Sequence, residues 1–573
     1  MLSTIYDNFK LPIEYVEKTK PILDNLDKDL ELTKANEGSE ISVYKKILNP
    51  QTTFGELCIE PFSKYYTTDV TYLKETQDLC KNINDVVVDK NVIENTWENY
   101  KNIKNNKSFL DTYQYIDWSY FKWMNKMGSF LLILGFYNLS SPVINLFAPV
   151  FMLIVPFFIL KVMGLPVTTA SYYNILVQQL KRHAIGQLFT KWNSVTFSKK
   201  MYLLFCFGMY LYSIYQNILS CRRFYKNTNY IASTFKNFKT YIDYSVENIT
   251  YYVNLISEYK KYDEFKNVLL DKKEKLVSYY NKFVGLPTEI VSFKTLPYLG
   301  ESMKYFYTIY DSSDFKETIE YSFAFNGYLD VMKNISNNVK NKTINKIKLL
   351  EDKKTKLVLK QHHHPLIEDK PVKNDLNLKK NKVITGPNAS GKTTLLKSTI
   401  INILLTQQVG YGYYKSGKIT PFHHIHCYMN IPDTNGRDSL FQAEARRCLE
   451  ILNNMEENKN DRHFAIFDEL YSGTNPYEAI SSAHAYLKYI SKNKKIKFML
   501  TTHFIKLCDL LDDDKKYIEN CNMKTTVDDN DIPTYEYKIK KGISKIKGGI
   551  CVLKDLKYPR KIIANTKKIL RTI

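Results

Sequence analysis

The plainest capacity for chemistry lies in the run Gly386-Pro387-Asn388-Ala389-Ser390-Gly391-Lys392-Thr393-Thr394. Its first eight residues fit G-x-x-x-x-G-K-[ST]. In that pattern glycines let the backbone curl until its N–H groups face a phosphate. The lysine, here Lys392, reaches the β- and γ-phosphates, and the hydroxyl, here Thr393, holds Mg2+. ATP and Mg2+ are the ligands this chemistry calls for. Further along, Phe464-Ala-Ile-Phe467-Asp468-Glu469 is an apolar run ending in two carboxylates. Asp468 is placed to reach Mg2+ through water, and Glu469 to activate an attacking water. A third apolar run, Phe498–Thr502, ends at His503.

Such groups work only if regular elements position them. A phosphate loop needs a strand before it and a helix after it, because the helix N-terminus favours anions. Lys382–Thr385 reads as that strand and Thr394–Leu405 as that helix. After Lys360 short apolar runs alternate with helical stretches, an α/β signature. These runs resemble those of ABC-type ATPases, and the resemblance implies a C-terminal α/β phosphate-loop ATPase domain of ABC type behind a largely α-helical core and lever region. Five segments follow: 1–126, helical N-terminal and core part; 127–224, apolar helical region; 225–360, core and lever arms; 361–540, ATPase domain; and 541–573, C-terminal helical region. Within 225–360, Tyr262–Phe283 and Lys333–Lys360 are Lys-rich with apolar residues three and four apart, the pattern of exposed amphipathic arms.

Met127–Leu160 holds 34 residues without one charge. A bilayer span takes about 20 apolar residues. Trp118, Lys122, Trp123 and Lys126 flank the run on one side and Lys161 on the other, as membrane interfaces select. Basic residues between 162 and 200 favour a hairpin folded at Asn138–Pro142 over one span here and another in the apolar run Met201–Ser220. The competing expectation is a very hydrophobic soluble core.

Charge points to a polyanion. Lys+Arg 81 against Asp+Glu 59 leaves +22, which suits nucleic acid or an anionic membrane. A/T-rich codon bias would also raise Lys, Tyr and Phe. Apolar (44%) and charged (24%) contents are those of a globular chain, which excludes a disordered one. Nine cysteines without a CxxC pair argue against a disulfide framework and a zinc ribbon, and point to an intracellular protein; an ATP site must face the cytosol, which places the ATPase domain there. Residues 1–15 have neither the basic start nor the apolar stretch of a cleaved leader. The histidines at 362–364 and at 423, 424 and 426 lack a paired cluster at metal-ligand spacing, so no structural metal is expected.

Residues 361–565 resemble the ATPase domain of the MutS family, the mismatch-repair ATPases of the ABC superfamily. Gly386–Thr394 is similar to the family's GPNMxGKST, and Ser439-Leu-Phe-Gln-Ala-Glu444 to its STFMxE. Asp468–Ala479 resembles DEIGRGTSxxDG, with Ser472-Gly473 in place of Arg-Gly. Thr501–Phe504 resembles the ATH(Y/F) element, and His364-Pro365 with Asn374-Asp375 the approach to the nucleotide. Gly542–Pro559 is similar to the C-terminal helical region that helps these proteins dimerise. Phe54-Gly-Glu56 and Thr68–Leu73 look like the start of the helical core.

The resemblance implies that His503 touches the γ-phosphate and that Ser439 completes the site of a partner subunit. A homodimer with two composite sites follows, and ATP binding and hydrolysis move the arms. DNA is the implied partner. The family's mismatch-reading wedge, a Phe-x-Glu in GxFYE context, has no counterpart, so the usual mismatch reading is not expected. The charge-free run resembles that of MutS-related proteins with membrane segments ahead of the lever. The leading expectation is a DNA-directed ATPase. The alternative is a membrane-anchored ATPase scaffold that does not act on DNA, held through 127–160. A transporter half needs more spans than this sequence offers and an LSGGQ-type signature, where SLFQAE stands instead.

Overall fold

The computed structural model describes residues 2–570 except 36–39, 84–85, 165–167, 191, 195, 289–291, 293, 353, 430, 432–438, 528–532, 547–549, 551–552 and 555. The chain forms two compact units, each drawn from separate stretches. One comprises Asn91–Val246 and Glu274–Ile319; the other comprises Met1–Lys90, Glu247–Lys273 and Glu320–Ile573.

The first unit is helical. Its principal helices are α1 (Gly128–Val162), the first part of α2 (Phe197–Leu255), the end of α3 (Asp263–Val284), α4 (Leu299–Asp311) and the start of α5 (Ser313–Lys340). Aromatic rings fill its core. Phe109 stacks on Tyr310 at 4.0 Å and on Phe306 at 5.4 Å. Helices α1 and α4 cross closely because both carry glycine where they meet. A Cβ on Gly300 would lie 2.0 Å from the Gly128 carbonyl oxygen.

The hairpin expected at Asn138–Pro142 does not form, since Gly128–Val162 is one helix of 35 residues. Pro142 has no N–H for the Asn138 carbonyl four residues back, the usual reason for a break. The Ser141 hydroxyl donates to that carbonyl instead, at 3.2 Å, and the helix continues. Met201–Ser220 likewise is not a separate span but part of α2, which continues past Arg222 and Arg223. Helix α2 lies along α1, with the Tyr210 hydroxyl on the Leu146 carbonyl at 2.8 Å and the Cys221 thiol on the Leu139 carbonyl at 3.4 Å. Among the described residues, Gly128–Ala148 is the one helical stretch long and apolar enough to cross a membrane.

The second unit holds the α/β part. Its strands are β1 (Asn381–Thr385), β2 (His424–Tyr428), β3 (His463–Asp468), β4 (Ile496–Thr502), β5 (Ile518–Val527) and β6 (Pro533–Lys541). They pair in the order β2-β3-β4-β1-β5-β6, parallel except for the antiparallel edge strand β6. Strands covered on both faces read as continuous apolar runs, and Phe464–Phe467 and Phe498–Leu500 are fully buried. Helices α7 (Leu440–Glu457) and α8 (Pro476–Ser491) pack on this sheet through Cys448, Ile451, Ala483 and Leu487. Helix α6 (Lys392–Val409) packs on β3 and β4 and is buried on nearly all sides.

Polar groups on α6 are held by the first ninety residues. Gln407 donates to the carbonyls of Thr67 and Phe422, at 3.2 and 2.9 Å. Gln408 donates to Phe62 and Tyr65 and accepts from the Tyr44 hydroxyl at 2.7 Å. Gln77 caps the helix end through the Gly410 carbonyl at 2.6 Å.

The arm expected over Lys333–Lys360 is not formed. Helix α5 stops at Lys340, Lys342 takes a left-handed φ of 56°, and short strands follow from Asn345. From Lys346 to Leu349 exposure and burial alternate, the period of a strand rather than a helix. Lys348–Leu349, Ser416–Ile419, Leu357–His362 and Asn374–Asn377 form a four-stranded sheet in that order. The other Lys-rich stretch is helical as α3, but Leu269, Leu276 and Phe283 are buried rather than presented. Of the C-terminal region, Arg560–Leu570 is a helix, while 547–549, 551–552 and 555 lie outside the described residues.

Candidate active site

Strand β1 delivers the chain to Gly386 at the C-terminal edge of the parallel strands, and α6 leaves from Lys392. Two residues of the loop between them take left-handed backbone: Gly391 at φ 87° and Ala389 at φ 61°. Gly391 is required twice over, since a Cβ there would also meet the Tyr537 ring at 2.9 Å. The Lys392 ammonium donates to the carbonyls of Gly386 and Pro387 at 3.0 and 3.2 Å. Burial pulls it below the ordinary lysine range, while the charges of Glu469 and Asp468 push back.

Strands β3 and β4, paired in register, bring the next groups. Asp468 ends β3 and accepts the Thr393 hydroxyl at 2.8 Å; its other oxygen accepts the Thr501 hydroxyl from β4. Glu469 takes a left-handed φ of 55°, fixed by its N–H on the Thr501 carbonyl at 3.1 Å. That turn points its carboxylate to the His503 Nε2, 2.9 Å away. The bond to His503 holds Glu469 below the usual carboxylate range, although burial opposes it. The same Nε2 lies 3.2 Å from the Lys392 ammonium. One ring nitrogen either donates to Glu469 or accepts from Lys392, so the tautomer decides which partner His503 serves.

A cavity of about 560 Å3 opens beside these groups, lined by Asn388–Thr394, Glu469, His362–His364, Met523 and Tyr537. That volume is in the range of small-ligand sites. The Ser390 hydroxyl in its lining is buried without a partner. A buried polar atom of that kind marks a place for a ligand acceptor. The residues fit a nucleotide: curled backbone, ammonium and orphan hydroxyl face one space. They also fit Mg2+, which takes one or two protein oxygens and fills the rest of its shell with phosphate and water. Thr393 and Asp468 supply that pair. No group of three or more metal-ligating side chains occurs among the described residues.

Ser439 sits elsewhere. It caps α7, accepting the Gln442 N–H at 3.3 Å, with Gln442 returning the bond to the Ser439 N–H at 2.9 Å. It does not line the cavity of its own chain.

Several working residues carry no role that sequence reasoning assigns. Glu444, one turn into α7, is buried and accepts the Ser472 N–H, the Ser472 hydroxyl and the Gly473 N–H, at 3.1, 2.9 and 3.1 Å. The loop after Glu469 is thus tied to α7. Gly473 is needed there, since a Cβ would meet Leu440 at 2.7 Å. This gives the Ser472-Gly473 departure a meaning: the serine adds a third donor to Glu444. Tyr537 and Met523 come from the β5–β6 hairpin, far in sequence from the loop. Asn374 holds that hairpin by two bonds of 2.9 Å to the backbone of Tyr537 and Ile539. His362, bonded to the Asn374 carbonyl at 2.7 Å and to Thr399, is pulled down to about 4 by burial.

Comparison with known proteins agrees on this region. Residues 382–573 match the family described as MutS domain V. "DNA mismatch repair protein MutS" of Persephonella marina is 31% identical over 219 residues, 37% of this chain and 24% of that protein. The protein of the same name from Clostridioides difficile is 30% identical over 239 residues, 40% and 25% of the two chains. "MutS protein homolog 4" of Mus musculus is 31% identical over 229 residues, 37% and 23%. The chain therefore spans about a quarter of the length of these relatives.

Proposed function

We propose, from the premise that residues 382–573 belong to the MutS family, that this chain is a MutS-related ATPase coupling ATP hydrolysis to DNA binding. The observation that carries the reading is that Lys392, Thr393 and Glu469 line one cavity, with Asp468 bonded to Thr393 and His503 to Glu469 behind them. In this reading the loop N–H groups and Lys392 hold the β- and γ-phosphates. Thr393 and Asp468 hold Mg2+, which when bound neutralises phosphate charge. Glu469 takes the proton of a water attacking the γ-phosphorus, the bond to the bridging oxygen breaks, and ADP and phosphate leave. His503 faces the γ-phosphate and steadies Glu469 in its ionised form. Ser439, exposed at the α7 N-terminus, serves the cavity of a second subunit in a homodimer.

DNA is the partner because of the +22 charge and the relatives' printed role in mismatch repair. The test is ATP turnover by purified protein with homoduplex, mismatched and branched DNA at two salt concentrations. Stimulation by one DNA form, lost in Lys392→Ala, is expected. Turnover indifferent to every DNA, with binding gone at moderate salt, would overturn the coupling.

A second reading rests on α1 and α2. Ile133 is 71% exposed, and Phe136, Val143, Phe147, Phe158, Phe205 and Tyr212 are all exposed. Patches of that extent mark a membrane or protein contact. A membrane-anchored ATPase scaffold would float with anionic vesicles independently of ATP and DNA. Protein that stays in the aqueous fraction without detergent would remove this reading.

A further inference from the structure

A second cavity, of about 650 Å3, opens at the end of the parallel sheet opposite the phosphate loop. It lies where β1, β4 and β5 begin, against Asn381, Ile496 and Tyr517, whereas the phosphate loop follows the C-terminal end of β1. Its floor is apolar: Leu357, Leu378 and Ile496 are buried. Among the described residues its lining carries seven lysines and neither Asp nor Glu.

Among the described residues most of these lysines form no ion pair, although the charge of Asp352 acts on Lys354 as well as on Lys356. Lys356 pairs with Asp352 at 2.6 Å. Lys495 donates to the Asn460 carbonyl and Lys497 to the Lys379 carbonyl, which carry no formal charge. Among the described residues no ion pair is formed by Lys354, Lys379, Lys494, Lys495, Lys497 or Lys516. Lys497 is half-buried, and burial pulls its ammonium below the ordinary lysine range. The Thr355 hydroxyl, also in the lining, is buried without a partner.

Uncompensated cations around an apolar floor are complementary to a ligand with an anionic edge and a flat apolar body. Tyr517 offers a ring on the wall, with the Lys516 ammonium 5.4 Å from its centroid over one face; single-strand binders use such rings for stacking. We propose that this cavity is a second binding site, for nucleotide units: the base lies on the floor beside Tyr517 and the phosphates lie on the lysine rim. The units can come from a single-stranded nucleic acid or from a free nucleotide. The site is separate from the ATP cavity, sharing none of its lining residues. It does not depend on the ATPase reading.

The experiment uses full-length Lys392→Ala protein, so that the phosphate loop does not capture the probes. Fluorescence anisotropy is read with a labelled oligothymidylate of six nucleotides and with a labelled thymidine diphosphate, and in parallel with a labelled duplex. The variant is Lys379→Gln/Lys494→Gln/Lys516→Gln, three exposed positions whose replacement leaves the fold intact. Expected is a loss of hexamer affinity of tenfold or more in the triple variant. Its salt slope should be shallower by about 0.7 for each phosphate that no longer meets a lysine. Binding of the labelled thymidine diphosphate alone, with no hexamer binding, assigns the site to free nucleotides. Equal affinities of the triple variant and its parent for both probes would overturn the proposal. Duplex binding that fails while the hexamer still depends on the lysines would count against the DNA-coupled ATPase and not against this site.

Discussion

Helices α6 and α1 invert what hydropathy suggests. Helix α6 carries Ser398, Thr399, Asn402, Thr406, Gln407 and Gln408 and is buried on nearly all sides. Helix α1 is almost wholly apolar, yet Ile133, Phe136, Val143, Phe147 and Phe158 are exposed. The difference lies in partners. Each polar side chain on α6 has a hydrogen-bond acceptor or donor at hand, as Asn402 has in the His363 carbonyl and the Tyr413 N–H at 3.1 and 2.6 Å. Burial of a polar group is tolerated when it is paired. The apolar surface of α1 needs no partner of its own, only exclusion from water, and the described protein covers it only in part. Polar content thus marks an enclosed helix of the α/β unit, and apolar content marks a helix left largely open.

The comparison can be broken most sharply at the loop that starts α6. Glu469→Gln keeps the shape and removes the base, so turnover should fall on the order of 10²–10⁴-fold. Thermal unfolding should barely move, and the behaviour of α1 with detergent or vesicles should not change. A turnover loss no larger than a few-fold would remove Glu469 from that role.

Next in size is a pH effect. His362 titrates near 6.5 when unfolded and near 4 when folded, so the unfolded chain binds the extra proton between those values. Its neutral burial is undisturbed above pH 6.5, and stability drains as pH falls toward 4, by about 3 kcal/mol from this residue. Denaturant unfolding of His362→Asn across that window should lose this slope; an unchanged slope assigns it to other groups.

Gln407→Leu addresses α6 directly. It strands the carbonyls of Thr67 and Phe422 and the Phe422 N–H, which Gln407 now serves. The cost should be about 2–3 kcal/mol in denaturant unfolding. Ile133→Ser on α1 is the counterpart. In detergent it should stay within about 0.5 kcal/mol, while raising solubility without detergent. Similar costs at both positions would mean that α1 is covered after all.

The phosphate loop is legible in the sequence because its chemistry is local, with strand, loop and helix contiguous. Asp468, Glu469 and His503 are legible because each closes an apolar run, and apolar runs are how covered parallel strands read. Strand β2, His-Ile-His-Cys-Tyr, gives no such signal, since two histidines interrupt it. His426 is buried nonetheless, bonded to His463 on the neighbouring strand at 3.1 Å. Lys346–Leu349 misleads because apolar residues three and four apart in a Lys-rich stretch outweigh a short alternation. Glu444 stands in a recognisable motif, but its three bonds to Ser472 and Gly473 join segments 28 and 29 residues apart. Gln77, Gln407 and Gln408 lie beyond any pattern, as their worth depends on carbonyls hundreds of residues away.

That last distance has a meaning in time. The Tyr44 hydroxyl bonds Gln408 across 364 residues, and Gln77 bonds Gly410 across 333. A ribosome adding about 5–20 residues per second needs roughly 20–70 s to make that stretch. For that long the opening ninety residues are outside the ribosome without the helix they are shaped to hold. The unit that reads as a C-terminal module is therefore finished by a much earlier part of the chain, and residues 382–573 made alone would emerge with α6 uncovered.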